Sequence, residues 1–215
     1  MMLAKGTISW IIYPFAVGIL FLALFIIYPK GAGRVFLLVS VILFLLSGFF
    51  IMFFRDPDRI IGKGIVAPAD GRICDIIQSK DSDIGECTII SVFMNVYNVH
   101  VNRMPLGGLI KNVVHMPGSN IPAFKKESAR NERVITTIDT NIGIVKVIQI
   151  AGTLARRSVP YVRSGDKLKK GEKIGIIRLG SRVDVYMPSK KIKNINVKLG
   201  DIIKAGEKSI AEIND

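Results

Sequence analysis

The stretch that decides the first part of the fold is Ile8–Phe54, which reads ISWIIYPFAVGILFLALFIIY, then PKGAGR, then VFLLVSVILFLLSGFFIMFF. Its two apolar runs, Ile8–Tyr28 and Val35–Phe54, are 21 and 20 residues long. A helix needs about 20 apolar residues to cross the hydrocarbon core of a bilayer, so each run predicts one membrane-spanning helix. The proline, glycines and basic residues between the runs predict a tight polar turn. The sequence therefore predicts a transmembrane hairpin with both ends on one side.

A cleaved signal peptide is the competing interpretation of the first run. The run is too long for the apolar region of a signal peptide, and a second span follows at once, so an anchor is favoured. The basic residues that flank the outer ends of the hairpin outnumber those in its turn: Lys5, Arg55, Arg59 and Lys63 against Lys30 and Arg34. This bias favours a cell-membrane protein whose remaining chain lies in the cytoplasm.

Charge is distributed unevenly along the chain. All 17 acidic residues lie at or after Asp56, and 27 of the 30 lysines and arginines lie at or after Arg55. A basic surface suits either nucleic acid or an anionic membrane, and the hydrophobic anchor favours the membrane and no nucleic acid. A general solubilising excess of charge is the alternative. With two cysteines and two histidines in all, no metal site is predicted.

From Ile60 onward, short β-branched runs alternate with turns rich in Gly, Asp and Pro, which predicts a mainly β domain. The predicted strands are Ile73–Ile77, Cys87–Phe93, Gly108–His115, Val134–Asp139, Ile142–Ala151, Lys173–Arg178, Arg182–Met187 and Ile192–Val197. Ala123–Glu132 lacks β-branched residues and is a candidate short helix or irregular loop. The predicted organisation is an anchor with its linker over residues 1–59 and a β domain over residues 60–215.

The β domain also contains a weak internal repeat. Ser164–Ile174 and Leu199–Ser209 each have Gly-Asp, an apolar residue and then Gly-Glu at the same spacing. Glycine is expected to supply positive φ at these turns, and aspartate to cap its own turn. Such units resemble the hammerhead-like turns of lipoyl and biotinyl domains, as in a barrel-sandwich architecture, although no carrier lysine motif is present.

The sharpest chemical signal is the pair Gly180-Ser181 between two predicted strands. In most proteins such a pair is a simple turn. Glycine can, however, adopt the strained backbone that lets the following hydroxyl attack the preceding carbonyl. The resulting ester can leave by β-elimination from Ser181, and the dehydroalanine left behind hydrolyses to a ketone, which is a pyruvoyl group at a new N-terminus.

This chemistry needs a base to deprotonate Ser181. His100 lies in a segment that alternates polar and apolar residues, and Asp70 lies in the turn Ala67–Gly71. A nucleophile, an imidazole and an orienting carboxylate form the usual activation scheme. From spacing alone, a structural His100 and a turn-capping Asp70 are equally open.

Several segments, taken in order, resemble the phosphatidylserine decarboxylase family. The segments that carry the resemblance are Phe53–Arg59, the aspartate turn Ala67–Gly71, Asn98–Pro105 with its histidine, Asn131-Glu132-Arg133 and Ile177–Asp184 with its Gly-Ser pair. They recur in family order along nearly the whole chain. The short length and the two-helix anchor are similar to the short bacterial and archaeal branch.

The resemblance implies roles for individual residues. Asp70, His100 and Ser181 would perform self-cleavage at Gly180-Ser181. The cofactor would be a pyruvoyl group made from Ser181, which forms a Schiff base with the amine of phosphatidylserine and drives its decarboxylation to phosphatidylethanolamine. The large chain, 1–180, and the small chain, 181–215, would stay associated, and a homo-oligomer is compatible with this scheme. The longer branch often has a second histidine where this chain has Arg103, so only His100 carries over.

The phosphate of the headgroup calls for cations, and the matched motifs offer Arg103, Arg133 and Arg182. A surface role is the alternative for each. His100 is also the candidate proton donor after CO₂ leaves, because the pKa of histidine lies near working pH. His115 has no counterpart in the matched motifs and is interpreted as structural.

Three rival functions remain at this stage. One is a non-enzymatic, membrane-tethered lipoyl-like adaptor, which would keep one intact chain. Another is a decarboxylase for archaetidylserine, which differs in its lipid tails. The third, a soluble pyruvoyl amino acid decarboxylase, is disfavoured by the anchor.

Overall fold

A computed structural model describes residues 2–119, 131–152, 157–178 and 181–214 of the chain. The chain divides into two compact units, Met1–Asp58 and Arg59–Asp215. The first is helical and the second is built from strands, which confirms the predicted class of an α-hairpin followed by a mainly β domain. Residues 123–130 of the candidate helix or loop lie outside the described residues.

The first unit is an antiparallel helical hairpin. Helix α1 spans Ile8–Ile27 and helix α2 spans Gly33–Phe53, each within two residues of the predicted run. Two short strands, β1 (Met2–Leu3) and β2 (Arg55–Asp56), pair beside them.

Small and polar residues hold the two helices of the hairpin together. A Cβ on Gly18 would lie 2.8 Å from the Phe44 ring, and Ser47 donates a hydrogen bond of 2.8 Å to the Ile11 carbonyl. Close packing at glycine and interhelical bonds from serine are typical of helices in lipid.

Both helices are long and apolar enough to span a membrane, with mean hydropathies of 2.5 and 2.9. Only 6% and 11% of their most apolar windows are buried within the protein. A core helix of a soluble protein would be mostly buried, so this exposure favours contact with lipid.

The second unit contains fourteen strands among the described residues. They are β3 (Ile65–Val66), β4 (Gly71–Asp81), β5 (Gly85–Met94), β6 (Val101–Arg103), β7 (Gly108–Met116), β8 (Arg133–Thr140), β9 (Gly143–Ala151), β10 (Arg157–Pro160), β11 (Lys167–Leu168), β12 (Lys173–Arg178), β13 (Ser181–Pro188), β14 (Ile192–Ile195), β15 (Ile202–Ile203) and β16 (Ser209–Ile213). Each of the eight predicted strands overlaps one of these, whereas six strands were not predicted: β3, β6, β10, β11, β15 and β16.

The strands form one large sheet and two small ones, with antiparallel pairing throughout. The large sheet has the order β11-β7-β8-β9-β13-β5-β4-β15, and the smaller sheets are β10-β12-β6 and β14-β16-β3. Alternate residues of β9 and β13 face a shared core, which includes Val145, Val147, Val183 and Val185. This inner face of the large sheet also holds the candidate nucleophile described below.

The internal repeat predicted from sequence is also a structural repeat. Gly165 and Gly200 both have positive φ, and each donates its N–H over 2.8 Å to an isoleucine carbonyl, Ile110 in one copy and Ile73 in the other. Asp166 and Asp201 each accept the N–H three residues earlier, as expected of an aspartate that caps its own turn. The two copies therefore dock in the same way on β7 and on β4.

Candidate active site

Ser181 is the first residue of β13 and is fully buried. In the sheet it lies between Met94 of β5 and Ala151 of β9, and its hydroxyl donates to the Met94 sulfur at 3.3 Å. A thioether is a weak acceptor, so within the described part of the chain the buried hydroxyl has no strong partner. Gly180, the other half of the predicted cleavage site, lies outside the described residues.

His100 is fully buried just before β6. Its carbonyl accepts the Ile177 N–H at 3.3 Å, on the strand that leads towards Ser181. The Nδ1 atom lies 2.8 Å from the Asn98 carbonyl oxygen. Because a carbonyl can only accept, Nδ1 carries the proton in the neutral ring and Nε2 carries the lone pair. That tautomer is the one that a general base at Nε2 requires.

Asp70 contacts other groups than the predicted His100. Its carboxylate binds Arg59 Nη2 at 2.8 and 3.0 Å and accepts the Ala205 N–H at 2.7 Å. The Asp70 and Arg59 side chains are only 10% and 5% exposed. The Asn98 carbonyl is thus one group that orients the imidazole, and Asp70 belongs to a buried ion pair that sequence reasoning missed.

A chain of polar contacts that the sequence did not reveal links Ser181 to β9. The Asn102 amide nitrogen lies 3.8 Å from the same Met94 sulfur, and Gln149 donates a 2.7 Å hydrogen bond to Asn102 Oδ1. Asn102 and Gln149 are both fully buried. The strand β9 is apolar from Ile144 to Ile150 apart from Lys146 and Gln149, and a polar residue inside such a run is a signal that could have singled Gln149 out.

Arg103 is buried and donates to the Gly171 carbonyl at 3.1 Å. It lines a cleft of about 590 Å³ together with Ile61, Leu168, Lys169, Lys170, Gly171, Glu172 and Lys173. Three of these neighbours are lysines, so the cleft is strongly basic. The side chain of the preceding residue, Asn102, contacts the Met94 sulfur that Ser181 also contacts.

Arg133 and Arg182 lie on the outer face of the large sheet, because both are in register with Ile150 on β9. Arg182 binds Asp184 at 2.6 Å and Ser91 at 2.9 Å. Burial alone would lower the pKa of the Arg182 guanidinium, but the adjacent Asp184 carboxylate outweighs it and holds the pKa above its usual value. The structure therefore does not bring Arg182 to the side of the sheet on which the Ser181 hydroxyl lies.

The Asn131–Arg133 motif lies at the start of β8, beside the Ser181 row. The Asn131 amide donates to the Ala151 carbonyl at 2.8 Å, and Ala151 is the sheet neighbour of Ser181. Glu132 lies 2.9 Å from His115, which is consistent with a structural part for that histidine.

Fold and site define a class: a mainly β protein with two long apolar N-terminal helices, a buried serine at the start of a central strand, and a buried histidine whose backbone pairs with the preceding strand. Residues 46–211 match the family model described as phosphatidylserine decarboxylase. The chain belongs to the phosphatidylserine decarboxylase family, and it is a carboxy-lyase.

The curated relatives carry two kinds of name. The chain is 43% identical over 214 residues to a Methanococcoides burtonii protein named "Putative archaetidylserine decarboxylase proenzyme", with 98% of this chain and 96% of the relative covered. It is 42% identical to the phosphatidylserine decarboxylase proenzyme of Streptomyces griseus, and 43% identical to that of Thermobifida fusca, each with 95% of this chain and 90% of the relative covered. Membership of this family excludes the non-enzymatic adaptor as the main function.

Proposed function

We propose that the chain cleaves itself between Gly180 and Ser181 and then decarboxylates the serine headgroup of phosphatidylserine with a pyruvoyl group made from Ser181. The observation that carries the proposal is the environment of the Ser181 hydroxyl, which is fully buried and, among the residues that the structure describes, bonded to a thioether alone. A buried hydroxyl with a strong acceptor would be held in place, whereas this one is available to a base. The names of the relatives include the word proenzyme, which supports a processed chain.

Self-cleavage begins when Ser181 Oγ attacks the Gly180 carbonyl carbon. The hydroxyl proton passes to His100 Nε2, the Gly180–Ser181 C–N bond breaks, and the amide nitrogen takes up a proton to leave an ester. Removal of the Ser181 Cα proton then expels Gly180 as a carboxylate by breaking the Cβ–Oγ bond. Water hydrolyses the remaining dehydroalanine to the ketone and releases ammonia. The tautomer fixed by Asn98 suits His100 to the first transfer.

The residues around Ser181 fit a pyruvoyl group. The position is shielded from water, and the Asn102 amide nitrogen is a donor close to it, held by Gln149. Such a group supplies an electron sink for the carbanion that forms as CO₂ leaves. The protein's own contribution is to exclude water, to orient the substrate and to return a proton, for which His100 is the proposed donor.

Strand pairing supports the proposal that the large and small chains remain associated. The small chain, 181–215, would contain β13, which pairs with β5 on one side and β9 on the other over most of its length. It would also contain β15, which pairs with β4, and β16, which pairs with β3. Cleavage ahead of Ser181 leaves all of these pairings intact.

The headgroup phosphate is proposed to bind in the basic cleft at Arg103 rather than at Arg133 or Arg182. Arg103 lines a cleft of about 590 Å³ together with three lysines, whereas the cation nearest to Asp184 on the outer face of the sheet is Arg182. The two long apolar helices support a location in the cell membrane, and the excess of basic residues at their outer ends supports a cytoplasmic catalytic unit.

The experiment that tests the proposal is the intact mass of the purified protein beside its Ser181→Ala variant. We expect two chains for the wild type, the smaller one blocked at its N-terminus, and one chain for the variant. CO₂ release from phosphatidylserine in mixed micelles should accompany cleavage. A wild type that is active as one continuous chain would contradict the proposal.

Archaetidylserine is the second candidate substrate, because the Methanococcoides burtonii relative bears that name. The two lipids share the serine headgroup and differ in their tails. Rates measured on each lipid in the same micelles distinguish them.

A further inference from the structure

We propose that the buried amide pair Asn102–Gln149 is an amine-binding element beside Ser181, in which Gln149 Oε1 accepts a hydrogen bond from the primary amine of the substrate. The inference rests on the proposed function and deepens it, because it names the group that recognises the substrate amine. It assigns Gln149 a catalytic part and Asn102 a positioning part.

The first observation is an unused acceptor. Gln149 is fully buried, and its Oε1 has no hydrogen-bond partner among the residues that the structure describes, while its amide nitrogen donates to Asn102 at 2.7 Å. A buried acceptor without a partner destabilises the folded state, so such atoms call for an explanation. One explanation is a ligand whose own hydrogen-bond donor pairs with this oxygen when it binds.

The second observation is the location of this acceptor. Gln149 is in register with Val183, two residues along β13 from Ser181, so both side chains lie on the inner face of the sheet. Diagonal neighbours of this kind lie roughly 7–8 Å apart, with their Cβ atoms somewhat closer, a distance that a glutamine side chain and a small bound headgroup together can bridge. The contacts through Met94 and Asn102 join the two positions continuously.

The third observation is that the amide has a fixed orientation. The hydrogen bond to Asn102 Oδ1 uses a Gln149 N–H, which leaves Oε1 as the free end. Gly175 faces this amide: a Cβ there would lie 3.0 and 3.1 Å from its nitrogen and oxygen and 2.7 Å from the Val159 carbonyl oxygen. Glycine at this position thus gives the amide room beside the backbone.

The chemistry of the acceptor selects for an amine. A neutral primary amine that attacks a carbonyl must present its lone pair to the carbon and direct its N–H bonds elsewhere. An amide oxygen accepts one of these N–H bonds without taking the lone pair, so it orients the nucleophile. An apolar side chain of similar size at position 149 would leave the amine unoriented.

The test uses the full-length protein in detergent with three variants. Gln149→Met removes the acceptor, and the double variant Gln149→Met/Asn102→Leu removes both amides so that neither is left unpaired. Thr136→Val is the matched control, because Thr136 Oγ1 is also fully buried and also has no hydrogen-bond partner in the described part of the chain. Self-cleavage is followed by intact mass, stability by urea unfolding, and decarboxylation is expressed per processed chain.

We expect self-cleavage of Gln149→Met at the wild-type rate, since no substrate takes part in it. We expect kcat/KM for phosphatidylserine to fall about 2- to 10-fold, the worth of one hydrogen bond, with the Thr136→Val control unchanged. The double variant should lose as much activity and be at least as stable as the wild type. A purely structural amide pair predicts the reverse: lower stability and slower cleavage.

Equal kcat/KM for wild type and Gln149→Met would overturn the inference while leaving the proposed function intact. A loss of activity in the double variant that is matched by loss of stability and of cleavage would also overturn it. Failure of the proposed function is distinguishable, because the wild type would then remain one chain.

Discussion

The ion pair between Asp70 and Arg59 gives the sharpest stability prediction. Both side chains are nearly inaccessible, 10% and 5% exposed, and Arg59 also binds Glu207, which is 34% exposed. Asp70→Ala would leave the guanidinium buried beside one half-exposed carboxylate and would remove the acceptor of the Ala205 N–H. Breaking a buried pair costs about 3–5 kcal/mol, so we expect the free energy of unfolding to fall by about that amount.

Glu207→Ala is the matched control, because it removes the other carboxylate from the same arginine. An exposed pair contributes about 0–1 kcal/mol, so this variant should lose little. The double variant Arg59→Met/Asp70→Leu replaces both buried charges with apolar groups and should recover most of the loss, as buried pairs replaced in this way often do.

The assay is urea unfolding of the full-length protein in detergent, followed by the circular dichroism of its β unit. Every variant carries Ser181→Ala, so that all chains remain uncleaved and differences in processing do not enter. The reasoning fails if Asp70→Ala costs no more than Glu207→Ala. Asp70→Ala is also made in the protein that keeps Ser181, where self-cleavage can be measured. If this variant fails to cleave while its Ser181→Ala counterpart is as stable as the control, Asp70 takes part in the chemistry and is not only structural.

Three further predictions concern single sites. Gly62→Ala should lower the urea midpoint strongly, because its Cβ would overlap a backbone carbonyl that cannot move aside, whereas at Gly107, where the nearest atom to a Cβ would be 3.4 Å away, alanine should change the midpoint little. Burial alone would raise the pKa of Asp81, but hydrogen bonds from Lys146 outweigh it and hold the pKa below its usual value. The ionised Asp81 therefore stabilises the folded state above pH about 4, and this stabilisation is lost as the pH falls through the folded pKa. Lys146→Met should accordingly flatten the fall in urea midpoint between about pH 5 and pH 3. Arg103→Lys should raise KM for phosphatidylserine by about tenfold with little change in self-cleavage, because a bidentate phosphate contact is lost; an unchanged KM would place the phosphate elsewhere.

Features that depend on neighbours in sequence were predicted well. The two spans follow from unbroken apolar runs, and both were located within two residues of their observed ends. The glycines at 165 and 200 follow from local turn chemistry, and both have positive φ. These signals need no knowledge of which strands pair.

Features that depend on register were not predictable in the same way. Arg182 is adjacent to Ser181 in sequence, which made it a candidate for the substrate phosphate. Successive residues of a strand point to opposite faces, so adjacency itself directs Arg182 away from the Ser181 hydroxyl and towards Asp184. Gln149 is 32 positions from Ser181 and was overlooked, although the pairing of β9 with β13 brings the two side chains to one face.

Asp70 illustrates a further feature that the sequence alone does not predict, namely which of several residues of opposite charge a carboxylate pairs with. The turn that contains it was identified correctly as a special site, but its partners are Arg59 and the N–H of Ala205, 135 residues away. A carboxylate in a motif shared with the proposed nucleophile suggests a triad, yet the charge that neutralises it is Arg59, and the second copy of the internal repeat adds the Ala205 N–H. In the sequence, the second copy of the repeat was recognisable only by the spacing of its Gly-Asp and Gly-Glu pairs, which does not show what the copy packs against.

The surroundings of Ser181 reconcile two demands that normally conflict. A buried hydroxyl ordinarily needs a hydrogen-bond partner, and a good partner would hold its proton and its rotamer. The Met94 sulfur contacts the hydroxyl at 3.3 Å. This weak hydrogen bond partly satisfies the buried hydroxyl, and breaking it so that Ser181 Oγ can attack the carbonyl requires little free energy. Met94→Leu should remove the sulfur contact from the buried hydroxyl, lower the stability of the uncleaved chain by about 1 kcal/mol or more, and leave self-cleavage no slower than in the wild type. A large slowing in a variant that remains folded would instead mean that the sulfur holds Ser181 in its reactive orientation, and a weak partner would then be a necessary one.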